Sequence, residues 1–213
     1  MKIVAINGSP KGKASNTNVM VTAFLKGAQA AGAETVNVFL GEKNIKYCQG
    51  CYSCWTKTPG KCATDDEMAE VLPLMAGAHV IVLATPLYFL NISGTLKVFM
   101  DRLAVTGNPL AGKAEIEKKP QSPAPKLVMM SNCGYTDRSQ FEVVSLWVKK
   151  VARMMQTEVV AEIYATRGWS LSSPKVELRS VMANYLHLLE TAGNEIASTM
   201  RLSETTERSL GSF

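Results

Sequence analysis

Five short apolar runs, at 2–7, 35–40, 79–84, 126–131 and 159–164, punctuate this chain. Stretches of helical period separate them near 16–31, 65–77, 94–104 and 139–155, and a longer one closes the pattern at 174–200. Strand-length runs alternating with amphipathic helices specify an α/β protein built on a parallel sheet. Five such units predict a doubly wound five-stranded sheet of order 2-1-3-4-5, whose ligand lies at the carboxyl ends of strands one and three. The last helical stretch carries Leu178, Val181, Tyr185, Leu188, Ala192 and Ile196 at helical spacing, so one stripe is expected to be buried. Thr64 with Glu67 and Ser139 with Glu142 match capping boxes, and Ser173 before Pro174 fits a capped start with proline at the first helical position.

The length of 213 residues suits one domain, expected over 1–200, followed by a polar tail at 201–213 that is expected to fray. Hydrophobic residues make up 46% and charged ones 19%, with a formal charge of +5. Lys and Arg are scattered, without a basic block or interleaved aromatics, which argues against a nucleic-acid partner. Residues 1–7 read as a strand rather than a signal peptide, and the apolar stretch 80–90 is broken by Pro86 and too short to span a bilayer. A cytoplasmic protein is expected, and its five cysteines are then not a disulfide framework. Two segments exceed a minimal version of the fold: a Cys-rich loop at 41–63 and an irregular stretch at 106–125 containing Pro109, Pro120, Pro123 and Pro125. Loops of that length in a compact domain are usually functional or disordered.

The first strand runs into Gly8-Ser9-Pro10-Lys11-Gly12-Lys13-Ala14-Ser15-Asn16-Thr17 and then directly into a helix. Backbone N–H groups of such a turn and of a helix start converge on an anion, and the helix dipole adds to the attraction. Ser9, Ser15, Asn16 and Thr17 offer side-chain donors, and Lys11 offers charge. The alternative is a capped surface turn, since Ser, Asn and Gly dominate turns in any case. Neither G-x-G-x-x-G nor G-x-x-x-x-G-K-[ST] is present, so a dinucleotide fold and an NTPase are not indicated.

The G-S-P-K run at 8–11 with S-N-T at 15–17 resembles the phosphate loop of the NADPH-dependent FMN reductase and flavodoxin-like family. Ala84-Thr85-Pro86-Leu87-Tyr88, followed by Gly94 to Leu103 with Leu96-Lys97, Phe99 and Asp101-Arg102, resembles the family's strand-three signature. The resemblance covers roughly residues 1–105; beyond them only the strand–helix rhythm agrees. It implies a flavodoxin-like FMN-binding domain that uses NAD(P)H as co-substrate. By the same resemblance Pro86, Leu87 and Tyr88 contact the isoalloxazine, with Asn91 nearby. Without it, Tyr88 and Phe89 would pass as core aromatics at a strand end. Asn132-Cys133-Gly134, after strand four, is the other loop available to the ring, its small residues permitting close backbone approach. Lys97, Asp101 and Arg102 are read as helix or subunit contacts, or Asp101 and Arg102 as a solvated pair. The resemblance and a Leu96-to-Leu103 stripe imply a homodimer or homotetramer.

Cys48-x2-Cys51-x2-Cys54-x7-Cys62 is the sharpest chemical feature. Four thiolates, three in a tight C-x2-C-x2-C run, suit a [4Fe-4S] cluster, and the arrangement resembles the iron–sulfur flavoproteins. Structural zinc usually takes two separated pairs and fits less well. Relatives in the flavin family carry a similar loop ending in "C-x-x-D-D", as Cys62 to Asp66 does here, with free thiols. Cluster and free thiols both stay open. His79 and His187 stand alone and receive no role. The reading is an FMN-dependent NAD(P)H oxidoreductase that passes electrons to a small-molecule or protein acceptor, the cofactor carrying the chemistry, so no catalytic side chain is nominated. A pure electron carrier with a cluster on the four cysteines is the alternative; a cofactor-free regulatory module is disfavoured by the Pro86–Tyr88 segment.

Overall fold

The computed structural model describes residues 1–107 and 123–213. Five parallel strands, β1 (Lys2–Asn7), β2 (Glu34–Phe39), β3 (Val80–Pro86), β4 (Lys126–Asn132) and β5 (Val159–Ala165), form one sheet of order β2-β1-β3-β4-β5. The helices are α1 (Asn16–Ala30), α2 (Ser53–Thr56), α3 (Met68–Met75), α4 (Gly94–Arg102), α5 (Glu142–Met154), α6 (Arg179–Thr199) and α7 (Glu204–Gly211). The flavodoxin-like order expected from the strand–helix rhythm is the order found.

Each strand alternates its side chains between two cores, as period-two geometry requires. Ile3, Ala5, Val82 and Met130 face α1 and α6, while Val4, Ile6, Leu83 and Met129 face α3, α4 and α5. The tightest approach is between α1 and α6. A Cβ added at Gly27 would stand 1.7 Å from the Glu190 carbonyl oxygen, and one at Gly193 would stand 1.8 Å from that of Phe24. Only glycine lets these backbones meet, so α1 and α6 pack backbone against backbone. In-register pairing aligns the strand ends: Asn7 lies beside Ala84, Pro86 beside Asn132, and Asn132 beside Ala165.

Several local expectations are corrected. At the start of α3 the cap position is Glu67, without a side-chain cap bond, and it is Asp66 Oδ1 that accepts Met68 N–H at 3.1 Å, so the Thr64–Glu67 box does not form. Asp137 accepts from Ser139 N–H at 2.8 Å and opens a 3-10 turn at Arg138–Phe141, so Ser139 is capped rather than capping. Helix α6 begins at Arg179, after a 3-10 turn at Val176–Leu178, so Ser173-Pro174 does not start it. Its buried stripe is Met182, Tyr185, Leu189, Ala192 and Ile196, leaving Val181 exposed.

The stretch after Arg201, expected to fray, instead forms α7. Ser203 caps it, Thr206 and Leu210 are buried, and the Phe213 ring stacks on Tyr185 at 3.7 Å between centroids. Of the irregular stretch at 106–125, residues 108–122, with Pro109 and Pro120, lie outside the described residues. Among the described residues no helix is long and apolar enough to cross a membrane.

Candidate functional site

The turn after β1 is stitched to the end of β3 and the start of α4. Gly8 N–H donates to Ala84 O at 2.7 Å, and Ser93 Oγ donates to Gly8 O at 2.6 Å while capping α4 at Leu96 N–H. A side chain at Gly8 would strike Leu96, its Cβ falling 2.6 Å from Leu96 Cβ. Beyond it, Gly12 turns the chain at φ +51 into a 3-10 turn at Gly12–Ala14. Ser15 Oγ donates to Gly12 O at 2.7 Å and accepts Asn18 N–H at 3.0 Å. That cap serves the third helical N–H, so those of Asn16 and Thr17 have no acceptor within α1.

Eleven of the twelve expected cofactor residues line one cavity of about 230 Å³: Ser9, Lys11, Ser15, Asn16, Thr17, Pro86, Leu87, Tyr88, Asn132, Cys133 and Gly134. Ser9, Ser15 and Thr17 are buried, unusual for hydroxyl side chains at a strand-to-helix junction, whereas Lys11 reaches solvent. Asn132 Nδ2 donates to Thr17 Oγ1 at 2.9 Å, which fixes the threonine oxygen as acceptor and leaves its proton for another partner. Asn16 Oδ1 is buried without a hydrogen-bond donor. Leu87 N–H donates to Asn132 O at 2.8 Å and joins the two remaining walls. Burial pushes the Cys133 thiol up, so it stands in the wall as a neutral thiol, 3.7 Å from Tyr135 O.

Gly168 and Trp169 also line the cavity and were not anticipated. Gly168 N–H donates to Cys133 O at 2.6 Å, and a Cβ there would fall 2.8 Å from Asn132 Oδ1. Their place just past the carboxyl end of β5, a glycine followed by an aromatic, was the signal available.

Asn91 is not among the lining residues. It pairs with Tyr88 across a tight turn, Tyr88 N–H to Asn91 O at 2.9 Å and Asn91 N–H to Tyr88 O at 3.1 Å. The two central residues, Phe89 at φ +49 and Leu90 at φ +66, are both left-handed. Phe89 is fully exposed and Tyr88 half exposed, so these are not core aromatics.

The cysteine loop lies elsewhere, beside two larger grooves of about 700 and 950 Å³. Cys48 and Cys51 are exposed, Cys54 and Cys62 half-buried, and all are free thiols. A hydrogen bond from Ser53 holds the Cys51 thiol below its ordinary pKa, and burial pushes that of Cys54 up. Among the described residues no three of the His, Cys, Asp or Glu side chains stand where one metal ion could be held.

At the loop's base Arg102 donates through both terminal nitrogens to the Asp66 carboxylate, and both side chains are buried. Of the two readings left open, the helix contact fits, and the solvated pair with Asp101 does not: Asp101 pairs with Lys97 at 2.6 Å on the exposed face of α4. The Leu96-to-Leu103 stripe is also internal, with Leu96 and Phe99 in the protein's own core.

Comparison with known proteins bears on the fold and the family. An iron-sulfur flavoprotein of Archaeoglobus fulgidus is 38% identical over 108 residues, which are 51% of this chain and 48% of that protein, so the chain spans about half the length of the curated relatives it matches. Among solved structures, an FMN-dependent NADH-azoreductase from Bacillus anthracis superposes with a TM-score of 0.63 at 18% identity, covering 93% of this chain and all of the other. An NAD(P)H:quinone oxidoreductase from Methanothermobacter marburgensis gives 0.62 at 16% identity over 92% of this chain and 96% of its own. At such identities these two structures establish a common fold. The family described as NADPH-dependent FMN reductase matches residues 1–170, four-fifths of the sequence. This chain belongs to the NADPH-dependent FMN reductase family.

Proposed function

We propose that the chain is an FMN-dependent NAD(P)H oxidoreductase that hands electrons to a second acceptor. The observation that carries this is the convergence of the β1 turn, the end of β3 and the loop after β4 on one cavity at the carboxyl edge of the sheet. The residues fit the phosphate and ribityl part of FMN. Asn16 and Thr17 N–H, the Thr17 hydroxyl and Ser9 are donors for a phosphate, with Lys11 at the mouth. The donorless Asn16 Oδ1 suits a sugar hydroxyl. At about 230 Å³ the cavity is smaller than those enclosing a whole ligand, roughly 300–1,000 Å³, so it grips one end. Pro86, Leu87, Tyr88 and 132–134 are the residues that would hold the ring. Bound FMN supplies two-electron acceptance from a reduced nicotinamide and release to an acceptor. The chain's own part is to bind, orient and shield; no side chain here needs to carry a proton. Denaturing the purified protein and chromatographing the released flavin tests this. FMN is expected; FAD, or no flavin after reconstitution with FMN, overturns it.

A second reading, an iron–sulfur electron carrier, draws support from the four-cysteine spacing and from the names of the relatives. As folded here the four thiols do not make a ligand set, and no step is derived through a cluster. Four irons per chain in anaerobic protein, lost in Cys51→Ser, would favour it. The proposal includes a cytoplasmic homodimer or homotetramer, checked by light scattering; a 23 kDa particle at micromolar concentration would refute the oligomer.

A further inference from the structure

We propose that Asp66 and Arg102 are the positioning residues of the cysteine loop: their buried ion pair closes it at its base, holding Cys54 and Cys62 in a fixed half and leaving Cys48 and Cys51 on a free arm. This goes beyond the flavin reading and shares no residue with the cavity described above.

The base is a set of reciprocal bonds between 43–46 and 65–68. Lys46 N–H donates to Asp66 Oδ2 at 2.8 Å, Arg102 donates to Lys46 O at 2.8 Å, and Glu67 N–H donates to Asn44 O at 3.4 Å. Lys43 adds ion pairs to Glu67 at 2.9 Å and Glu70 at 2.7 Å. Asp66 and Arg102 are the buried members, and their fork geometry ties both loop ends to the last turn of α4. Neither end can leave without stranding a buried charge.

The two halves above this base differ. Cys54 sits in α2, which docks through Trp55 Nε1 onto Ala104 O at 2.7 Å, and its own carbonyl accepts Gly60 N–H at 3.1 Å. Cys62 Sγ accepts Thr64 N–H at 3.4 Å. The other arm is tied only near its end, where Ser53 hydrogen-bonds to the Cys51 thiol. Among the described residues, the backbone N–H groups of 47–51 donate to no acceptor, and left-handed Gly50 and Tyr52, at φ +60 and +55, flank Cys51. Few hydrogen bonds and full exposure are the marks of a segment that opens locally.

Native-state alkylation separates the halves. Reduced, chelator-treated protein is exposed to iodoacetamide, and each cysteine is followed by peptide mass spectrometry, with buried Cys133 as internal reference. Cys48 and Cys51 should label about ten-fold faster than Cys62, since thiol reactivity follows access. In Asp66→Asn and Arg102→Gln, Cys62 should accelerate towards Cys48 while Cys133 stays slow; Arg102→Lys, which keeps a cation, should restore part of the protection. If the single variants fail to fold, Asp66→Leu with Arg102→Met removes both charges together and should release Cys62 in the same way. Equal rates for Cys48 and Cys62 in the parent protein would overturn the proposal. So would an unchanged Cys62 rate in a folded variant, or acceleration of Cys133 in step with Cys62. Iron content does not enter, so failure of the cluster reading and failure of this one are distinguishable.

Discussion

The carboxyl edge of the sheet and the cysteine loop are two sites built by different means on one scaffold. At the sheet edge every wall rests on a strand end or on the capped start of α1, and the polar groups are buried and cross-bonded, as Asn132 is to Thr17. In the cysteine loop a long excursion is secured at its base by one buried ion pair, and the chemistry-bearing sulfurs sit beyond that pair. A pocket of the first kind is organised before its ligand arrives, which lowers the ordering cost of binding. The second kind keeps part of its donor set free to rearrange. If the contrast is real, damage to the scaffold should abolish the first site, and damage to the ion pair should reach only the second.

The largest effect is expected where α1 is seated. Gly193→Val places a side chain against the Phe24 carbonyl, where a Cβ has only 1.8 Å. The clash is with backbone, so the helices must part, and a loss of more than about 4 kcal/mol is expected. Thermal unfolding should show a collapse in Tm together with loss of FMN binding. A variant that melts normally and binds FMN would mean that the phosphate turn does not depend on the α1–α6 contact.

Next in size is the ion pair. Removing Arg102 alone, as Arg102→Met, leaves the Asp66 carboxylate buried and unpaired, and costs about 3 kcal/mol. FMN affinity should hold in the protein that remains folded. The pH dependence has a definite sign. Burial pushes the Asp66 carboxyl up, but hydrogen bonds from Arg102 and from the N–H groups of Lys46 and Met68 outweigh it and hold it below its ordinary value. A carboxylate depressed in the folded state contributes stability above its unfolded pKa, about 3.9, and loses it as the pH falls through the lower folded value. Asp66→Asn should therefore flatten the acid limb of urea unfolding below pH 4. An unaltered acid limb would remove Asp66 as a source of acid sensitivity.

How much of this could be read from the sequence follows the same divide. The turn after β1 was legible as a candidate anion site because its logic is local: a strand end, a glycine turn and a serine cap lie within ten residues of one another. Trp169 and Gly168 were not, because they reach the cavity only through the pairing of β5 with β4. Arg102 was read as a helix or subunit contact but without its partner, because Asp66 lies 36 residues away. The C-terminal segment looked polar because only Leu210 and Phe213 are large apolar residues after Leu202. Those two found the Tyr185 side of the core, and Glu195 accepted hydrogen bonds from Ser203 and Thr206. Tertiary packing overrode composition there.

A third prediction tests the phosphate side. Thr17→Val removes a hydroxyl that offers its proton to the cavity and strands the Asn132 amide. FMN should weaken by about 1–3 kcal/mol, while riboflavin, which lacks the phosphate, should lose less. Equal losses measured by fluorescence titration would show that the site holds the ring and not the phosphate.

The smallest effect concerns the turn at 88–91, where the two kinds of construction meet. It projects from the rigid end of β3, yet Phe89 and Leu90 both occupy left-handed backbone, which asparagine and glycine adopt far more readily. Leu90→Gly removes the Cβ strain at one position and should stabilise the fold by about 1 kcal/mol, offset in part by the added freedom of glycine in the unfolded chain. Any loss of FMN affinity should come only through Tyr88, since neither central residue itself lines the cavity. Strain held at a mouth usually has a use there. NAD(P)H turnover should consequently fall in Leu90→Gly even as stability rises, because the turn then no longer holds the half-exposed Tyr88 in one position. Steady-state rates beside urea unfolding decide the matter. A variant more stable and equally active would show the left-handed pair to be incidental.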